Sequence, residues 1–168
     1  LSISVNISPK QLESAVFVRE VRRILQEVDL HDIQLILEVT ERSLLSTSHR
    51  ILERIRELKQ MGIQMSMDDF GMGHSSMMYL QENAFDEVKL DGSLVRQILE
   101  NERSQDIVRG ITRLAASMQF HVVAEFVETR EQMELLKALH CDIYQGYYYG
   151  KPCSCDEFIA IYLKQEVS

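Results

Sequence analysis

Apolar residues along this chain recur with two periods, and the exchange between them sets out an architecture. Ser2 to Val5 alternates toward Asn6 as a strand. Ser8-Pro9 opens a helix, with proline in its first turn, that runs through Val16, Val21, Ile24 and Leu25. Gln34-Leu35-Ile36-Leu37 is a strand ending at Glu38. Ser48 to Met61 is an amphipathic helix with Ile51, Leu52, Ile55 and Leu58 on one face, closed by Gly62. Ile63 to Met67 is a strand ending at Asp68-Asp69. The loop Phe70-Gly71-Met72-Gly73 leads to a short helix from Ser75 to about Gln81. Phe85 to Leu90 is a strand that carries Lys89. Helices over Ser93 to Leu99 and Arg103 to Met118 follow, then a strand from Phe120 to Ala124 ending at Glu125. A helix over Glu131 to Leu139, a strand from Asp142 to Gln145 and a helix capped by Ser154, with Glu157 three residues on, complete the chain.

This is a βα unit repeated about six times without a linker-like interruption, which implies a parallel sheet. Nearly every strand stops at a polar or ionisable residue: Asn6, Glu38, Asp68, Lys89, Glu125 and Gln145. In a closed barrel those ends form one ring around a pocket; an open doubly wound sheet gathers its ligand at a single switch point. No glycine-rich dinucleotide fingerprint or phosphate-loop lysine follows a strand. The pattern predicts a TIM-like barrel, here incomplete. The opening Leu1-Ser2-Ile3 reads as a strand already under way, so the sequence is expected to be a piece of a longer chain.

The 168 residues suffice for one core, and a formal charge of −8 disfavours nucleic-acid polymers and anionic membranes. No apolar run approaches a membrane span. An anionic ligand therefore needs bound metal or a local cation. The three cysteines, Cys141, Cys153 and Cys155, read as free thiols, because their spacing and that of the five histidines lack a zinc pattern.

Four strand-end carboxylates, Glu38, Asp68, Asp69 and Glu125, repel one another unless cations neutralise them. Hard divalent ions suit such oxygen ligands, with Asn6 a neutral one. Adjacent aspartates can hold two ions that stabilise attacking and leaving oxygens in phosphoryl displacement. Lys89 adds a positive charge to the rim. Taken singly, each has another reading. Glu38 or Glu41 can cap the following helix, Asp68-Asp69 can form an Asx-turn, and Lys89 can pair with a neighbouring acid. Glu125 and Glu128 can be acids at a helix start, and Gln145-Gly146 a plain turn. The methionines 61, 65, 67, 72, 77 and 78 read as adaptable core filling, with a mobile lid or dimer surface as the second reading.

Six segments, in order, resemble the EAL-domain family. They are Asn6-Ile7-Ser8-Pro9-Lys10-Gln11-Leu12, Leu37-Glu38-Val39-Thr40-Glu41, the run from Met67-Asp68-Asp69-Phe70-Gly71 to Ser76, Val88-Lys89-Leu90-Asp91, Ala124-Glu125-Phe126-Val127-Glu128 and Gln145-Gly146-Tyr147. The resemblance covers residues 1–168, as roughly the C-terminal two-thirds of an EAL domain. It implies a (β/α)8-like barrel whose first strand runs antiparallel to the rest. It also implies hydrolysis of cyclic di-GMP to linear pGpG with two Mg2+ or Mn2+.

Carried over, Asn6, Glu38 and Asp68 bind one metal, and Asp68, Asp69 and Glu125 the other. Lys89 contacts the nucleophilic water with Gln145 nearby. Glu41 anchors the loop from Phe70 to Ser76, and Glu128 supports the site. Composition and cysteine usage read as cytoplasmic, with membrane tethering of a longer parent left open, and the resemblance further implies a homodimer and leaves room for sensory or GGDEF-type domains upstream. Three departures stand out: the Glu-Ala-Leu signature is absent, Met72 replaces the usual threonine, and Phe126 replaces the usual glycine. They keep open a second expectation, an inactive module that binds cyclic di-GMP or a protein partner. A barrel short of two strands also predicts open sheet edges, met by domain swapping, a second copy or an upstream segment.

Overall fold

The structure, a computed structural model, describes residues 1–28, 30, 32–44, 49–71 and 77–163. Six strands form one sheet in chain order: β1 (Ser2–Asn6), β2 (Gln34–Thr40), β3 (Gln64–Phe70), β4 (Glu87–Leu90), β5 (His121–Ala124) and β6 (Ile143–Tyr144). Every neighbouring pair is parallel. The helices are α1 (Pro9–Glu13), α2 (Ala15–Glu27), α3 (Glu41–Leu44), α4 (His49–Lys59), α5 (Met77–Gln81), α6 (Gly92–Arg96), α7 (Glu102–Met118), α8 (Arg130–Ala138) and α9 (Cys155–Phe158), the last followed by a π-turn over Ile159–Leu163. The result is the expected incomplete TIM-like barrel.

Strand alternation divides the sheet into two chemically different faces. Leu37, Met65, Met67, Val88, Leu90, Val122 and Ala124 are buried in one core with Ile51, Ile55 and Leu58 of α4, Val108 and Ala115 of α7 and Leu136 of α8. The opposite face carries a polar row in register: Asn6, Glu38, Ser66, Glu87 and His121. The functional chemistry lies on this second face because the helices already claim the first.

Several boundaries differ from the sequence pattern. The helix expected from Pro9 to Leu25 is two, because Ser14 is extended (φ −83°, ψ 119°). Leu12 and Val18 are both buried, yet six residues apart they lie on different faces of a continuous helix; the break turns both inward. The strands expected to stop at Glu38 and Asp68-Asp69 run on to Thr40 and Phe70, since the Thr40–Asp68 pairing extends the ladder. The strand expected over Asp142 to Gln145 is ordered as a ladder only at Ile143 and Tyr144. Gly62 takes φ +84° in the turn after α4. Ser154 and Glu157 form the expected reciprocal cap. Ser48, Met72, His74 and Ser75 lie outside the described residues. Met65 and Met67 fill the core as expected, whereas Met77 and Met78 are exposed.

All five residues of β1 are exposed, and Ile143 of β6 is exposed at the other end. Both edges of the sheet are thus open among the described residues, as an incomplete barrel predicts.

The three cysteines are free, with Cys141 buried and Cys153 and Cys155 exposed. Burial pushes the Cys141 thiol up to about 12. Only thiolate reacts with alkylating agents. Iodoacetamide at pH 8 is therefore expected to modify Cys153 and Cys155 in the native protein and Cys141 only after denaturation, as read by mass spectrometry. Equal labelling of all three contradicts the packing of Cys141.

Candidate active site

The polar face concentrates its charge around one ammonium. Lys89, on β4, is buried, and its Nζ lies 3.0 Å from Glu38 Oε2 of β2 and 2.8 Å from Glu125 Oε1, just beyond β5. Both side chains are largely withdrawn from water, so the pairing is poorly screened. Burial alone drives the Lys89 pKa down. Its contacts with Glu125 and then Glu38 more than reverse that, and the group is held above its ordinary value. Burial raises the Glu125 carboxyl; Lys89 pulls it back, but Asp68 and Glu38 push it up again, leaving it raised. The Lys89 ammonium does not by itself offset the acids around Glu125.

Asp68 and Asp69 reach this rim by an irregular piece of backbone. The β3–β4 register shifts between Met67 and Phe70, and Asp69 adopts φ +57°, a conformation aspartate tolerates better than most residues. The Asp69 N–H donates to Asp68 Oδ1 at 2.9 Å. Loss of hydration, then Asp68 and Asp91, raise the Asp69 carboxyl, and Arg42 and Lys89 only partly oppose them. Glu41 is buried at the start of α3, and its Oε2 accepts the Gly71 N–H at 3.1 Å. Glu41 thus touches the loop where it leaves β3.

Gln145 is fixed by its backbone: its N–H donates to the Ala124 carbonyl at 2.8 Å, and its carbonyl accepts from Val127 N–H at 3.1 Å. Glu128 is exposed, and its N–H donates to Gln132 Oε1 at 2.8 Å. Glu125, Glu128 and Gln145 line one cavity of about 300 Å3. Asn6 is exposed at the end of β1, in register with Glu38. The structure therefore joins Glu38, Lys89 and Glu125 by contact, Asp68 and Asp69 by field, and Glu128 and Gln145 by a shared cavity.

The donor chemistry and the unbalanced negative charge fit divalent cations. Among the described residues, no three His, Cys, Asp or Glu side chains stand close enough to hold one ion. Glu38 and Glu125 are instead engaged with Lys89, so binding an ion requires them to share oxygens between Lys89 and the metal.

The sequence pattern passed over Glu87 and Ser66, which lie in the polar row beneath the rim, both buried. A signal was present: Glu87 stands two residues before Lys89, hence on the same face of the strand. Burial raises the Glu87 carboxyl, with Ser66, Lys89 and His121 easing the shift and Glu38 adding to it. A raised carboxyl binds protons more readily in the folded state, so it loses stability as pH rises through the interval between the unfolded and folded values. Glu87→Gln is expected to melt higher than wild type at pH 8, with the difference shrinking as pH falls toward 4.5, as followed by calorimetry. A difference independent of pH is incompatible with this account.

The EAL domain family profile matches residues 1–152. The chain is 34% identical over 165 residues to NbdA, a cyclic di-GMP phosphodiesterase of Pseudomonas aeruginosa, covering 96% of this chain and 21% of that protein. It resembles the solved cyclic di-GMP complex of the phosphodiesterase MucR (TM-score 0.83, 34% identity, 94% of this chain and 64% of that one). The Pseudomonas aeruginosa MucR is named a bifunctional diguanylate cyclase and cyclic di-GMP phosphodiesterase. A Klebsiella pneumoniae structure with manganese and cyclic di-GMP gives a TM-score of 0.80 at 26% identity, over 90% of this chain and 39% of that one. The chain spans about a fifth of the length of the first curated relatives it matches.

Proposed function

This chain belongs to the EAL domain family, and on that footing we propose that it hydrolyses one phosphodiester of cyclic di-GMP, giving linear pGpG. The observation that carries the reading is the buried Lys89 held between Glu38 and Glu125 at a rim that also bears Asp68 and Asp69. Such a rim provides a fixed cation beside acids in need of further positive charge, the arrangement suited to a polyanionic phosphodiester. Cyclic di-GMP is what the phosphodiesterases NbdA and MucR are named for.

In this reading Asn6, Glu38 and Asp68 would hold one Mg2+ or Mn2+, and Asp68, Asp69 and Glu125 would hold a second. When bound, such ions supply Lewis-acid charge to phosphate oxygens and acidify water. Lys89 orients the attacking water through its ammonium while keeping Glu38 and Glu125 in place. Water adds to phosphorus, the bond to the 3′-oxygen breaks, and that oxygen takes up a proton. Gln145 and Glu128 border the substrate from the cavity side. Glu41 fixes the start of the loop after β3. A homodimer, a cytoplasmic location and GGDEF-type neighbouring domains belong to the same proposal. No helix among the described residues is long and apolar enough to cross a membrane.

The test uses the complete natural polypeptide that carries this sequence. With Mn2+ it is expected to convert cyclic di-GMP to pGpG, followed by chromatography, and EDTA is expected to stop it. Manganese at a hundred times its dissociation constant is also expected to stabilise the fold by about 2.7 kcal/mol. Nucleotide binding with no product under saturating Mn2+ overturns the enzymatic reading in favour of a binding module.

A further inference from the structure

The cavity beside Glu125 has a feature that hydrolysis alone does not require. Phe126 sits at φ +56°, a left-handed conformation that is unusual for a bulky residue. Such strain persists only where the surroundings enforce it. Here the ring packs against Gly92 of α6: a Cβ on Gly92 would come within 2.5 Å of it, so glycine at 92 makes the seat for the ring. On the ring lies Arg96, its guanidinium 4.0 Å from the centroid. Arg96 is exposed and makes no ion pair with any described residue, although Glu125 and Glu128 line the same cavity. The exposed Tyr147, beyond Gly146, lines the same cavity, with the Lys151 ammonium 5.7 Å from the centroid of its ring.

The walls are therefore an aromatic-backed guanidinium and a phenol, with Glu125 and Gln145 at the catalytic side. A volume of about 300 Å3 is at the low end for a ligand pocket, suited to a single base and not to a whole cyclic dinucleotide. An exposed aromatic offers a stacking face to any base. A guanidinium seated over a ring at 4.0 Å spends none of its N–H donors on that contact, and they form the fork that pairs with the O6 and N7 acceptors of guanine. Adenine offers a donor where guanine offers O6, and meets the same fork with a repulsive contact.

We propose that Arg96, positioned by Phe126, is a specificity-determining residue that reads the O6/N7 edge of one guanine of the substrate. This rests on the phosphodiesterase reading above and deepens it. Phe126, which replaces the glycine usual in the family, thereby gains a role: it seats the guanidinium.

The experiment compares three substrates on the complete polypeptide with Mn2+: cyclic di-GMP, cyclic di-AMP and the base-free diester bis(p-nitrophenyl) phosphate. Arg96→Ala is expected to lower kcat/KM for cyclic di-GMP about tenfold, chiefly through KM, and to shrink the preference over cyclic di-AMP by the same factor. Hydrolysis of the base-free diester is expected to stay within about twofold. Arg96→Lys keeps the charge and loses the fork, so it is expected to behave as the alanine variant does. Full recovery by lysine overturns the proposal, because a single ammonium then serves as well as the planar fork. Equal loss on all three substrates, or no change on any, also overturns it. If the wild type cleaves none of the three, the phosphodiesterase reading fails instead.

Discussion

Lys89→Ala is expected to reduce cyclic di-GMP turnover by about a hundredfold or more, because the attacking water loses the preorganised charged group that orients it. The same change has a consequence that needs no substrate. Glu38 and Glu125 are left facing each other, mostly buried and without the ammonium that joins them. Breaking a buried pair from one side costs about 3 kcal/mol or more, and about 6–12 °C in Tm for a domain of this size. The sign against pH follows from the raised lysine. Its stabilisation is present below the unfolded value and disappears only as pH rises through the folded one, so the loss is full at neutral pH. Calorimetry in EDTA checks this. Manganese is expected to restore much of the lost Tm, because the ammonium and the metal compete for the same carboxylate oxygens. Weaker manganese binding in Lys89→Ala than in wild type shows that the assigned role is wrong.

Gly146→Ala is expected to lose about 3 kcal/mol, or roughly 6–12 °C, by overpacking of backbone on backbone. A Cβ at 146 would stand 2.2 Å from the Val127 carbonyl oxygen and 2.4 Å from its nitrogen. Neither atom can rotate away as a side chain can. Val127 donates its N–H to Gln145 and accepts from Tyr148 N–H at 3.0 Å, so its displacement disturbs the segment on both sides of the cavity. The expected result is a lower Tm together with weakened cyclic di-GMP binding. A melting point within a degree of wild type shows that this segment yields more easily than its packing indicates. The glycine reads as an ordinary turn in the sequence; its necessity comes from Val127, in the segment after β5, distant along the chain but in contact in space.

Much of the site was legible because strand-end chemistry is a local pattern. Glu38, Asp68, Lys89 and Glu125 each stand at or near the end of an apolar run, and the parallel topology then has to gather them on one rim. The edges of those runs were less legible. Thr40 pairs with Asp68 across two chain segments, and no local period reveals how far a ladder extends. The break at Ser14 escaped for a similar reason: it answers to two core positions, Leu12 and Val18, that only packing requires to face the same way. Glu87 was hidden in plain alternation, since an acid within an apolar strand looks like a solvent-facing residue until the other face proves to be the inside of a barrel.

By itself the sequence determined the order of β and α units, the polar character of the strand ends and the acidic donor set, because periodicity and residue type are properties of short segments. Only the tertiary structure decided that Lys89 bridges Glu38 and Glu125, that Asp69 stands on a left-handed residue, and that Arg96 lies on Phe126 beside an open cavity. Those facts depend on strand register and on contacts between segments far apart along the chain, which the packing of all the elements fixes together.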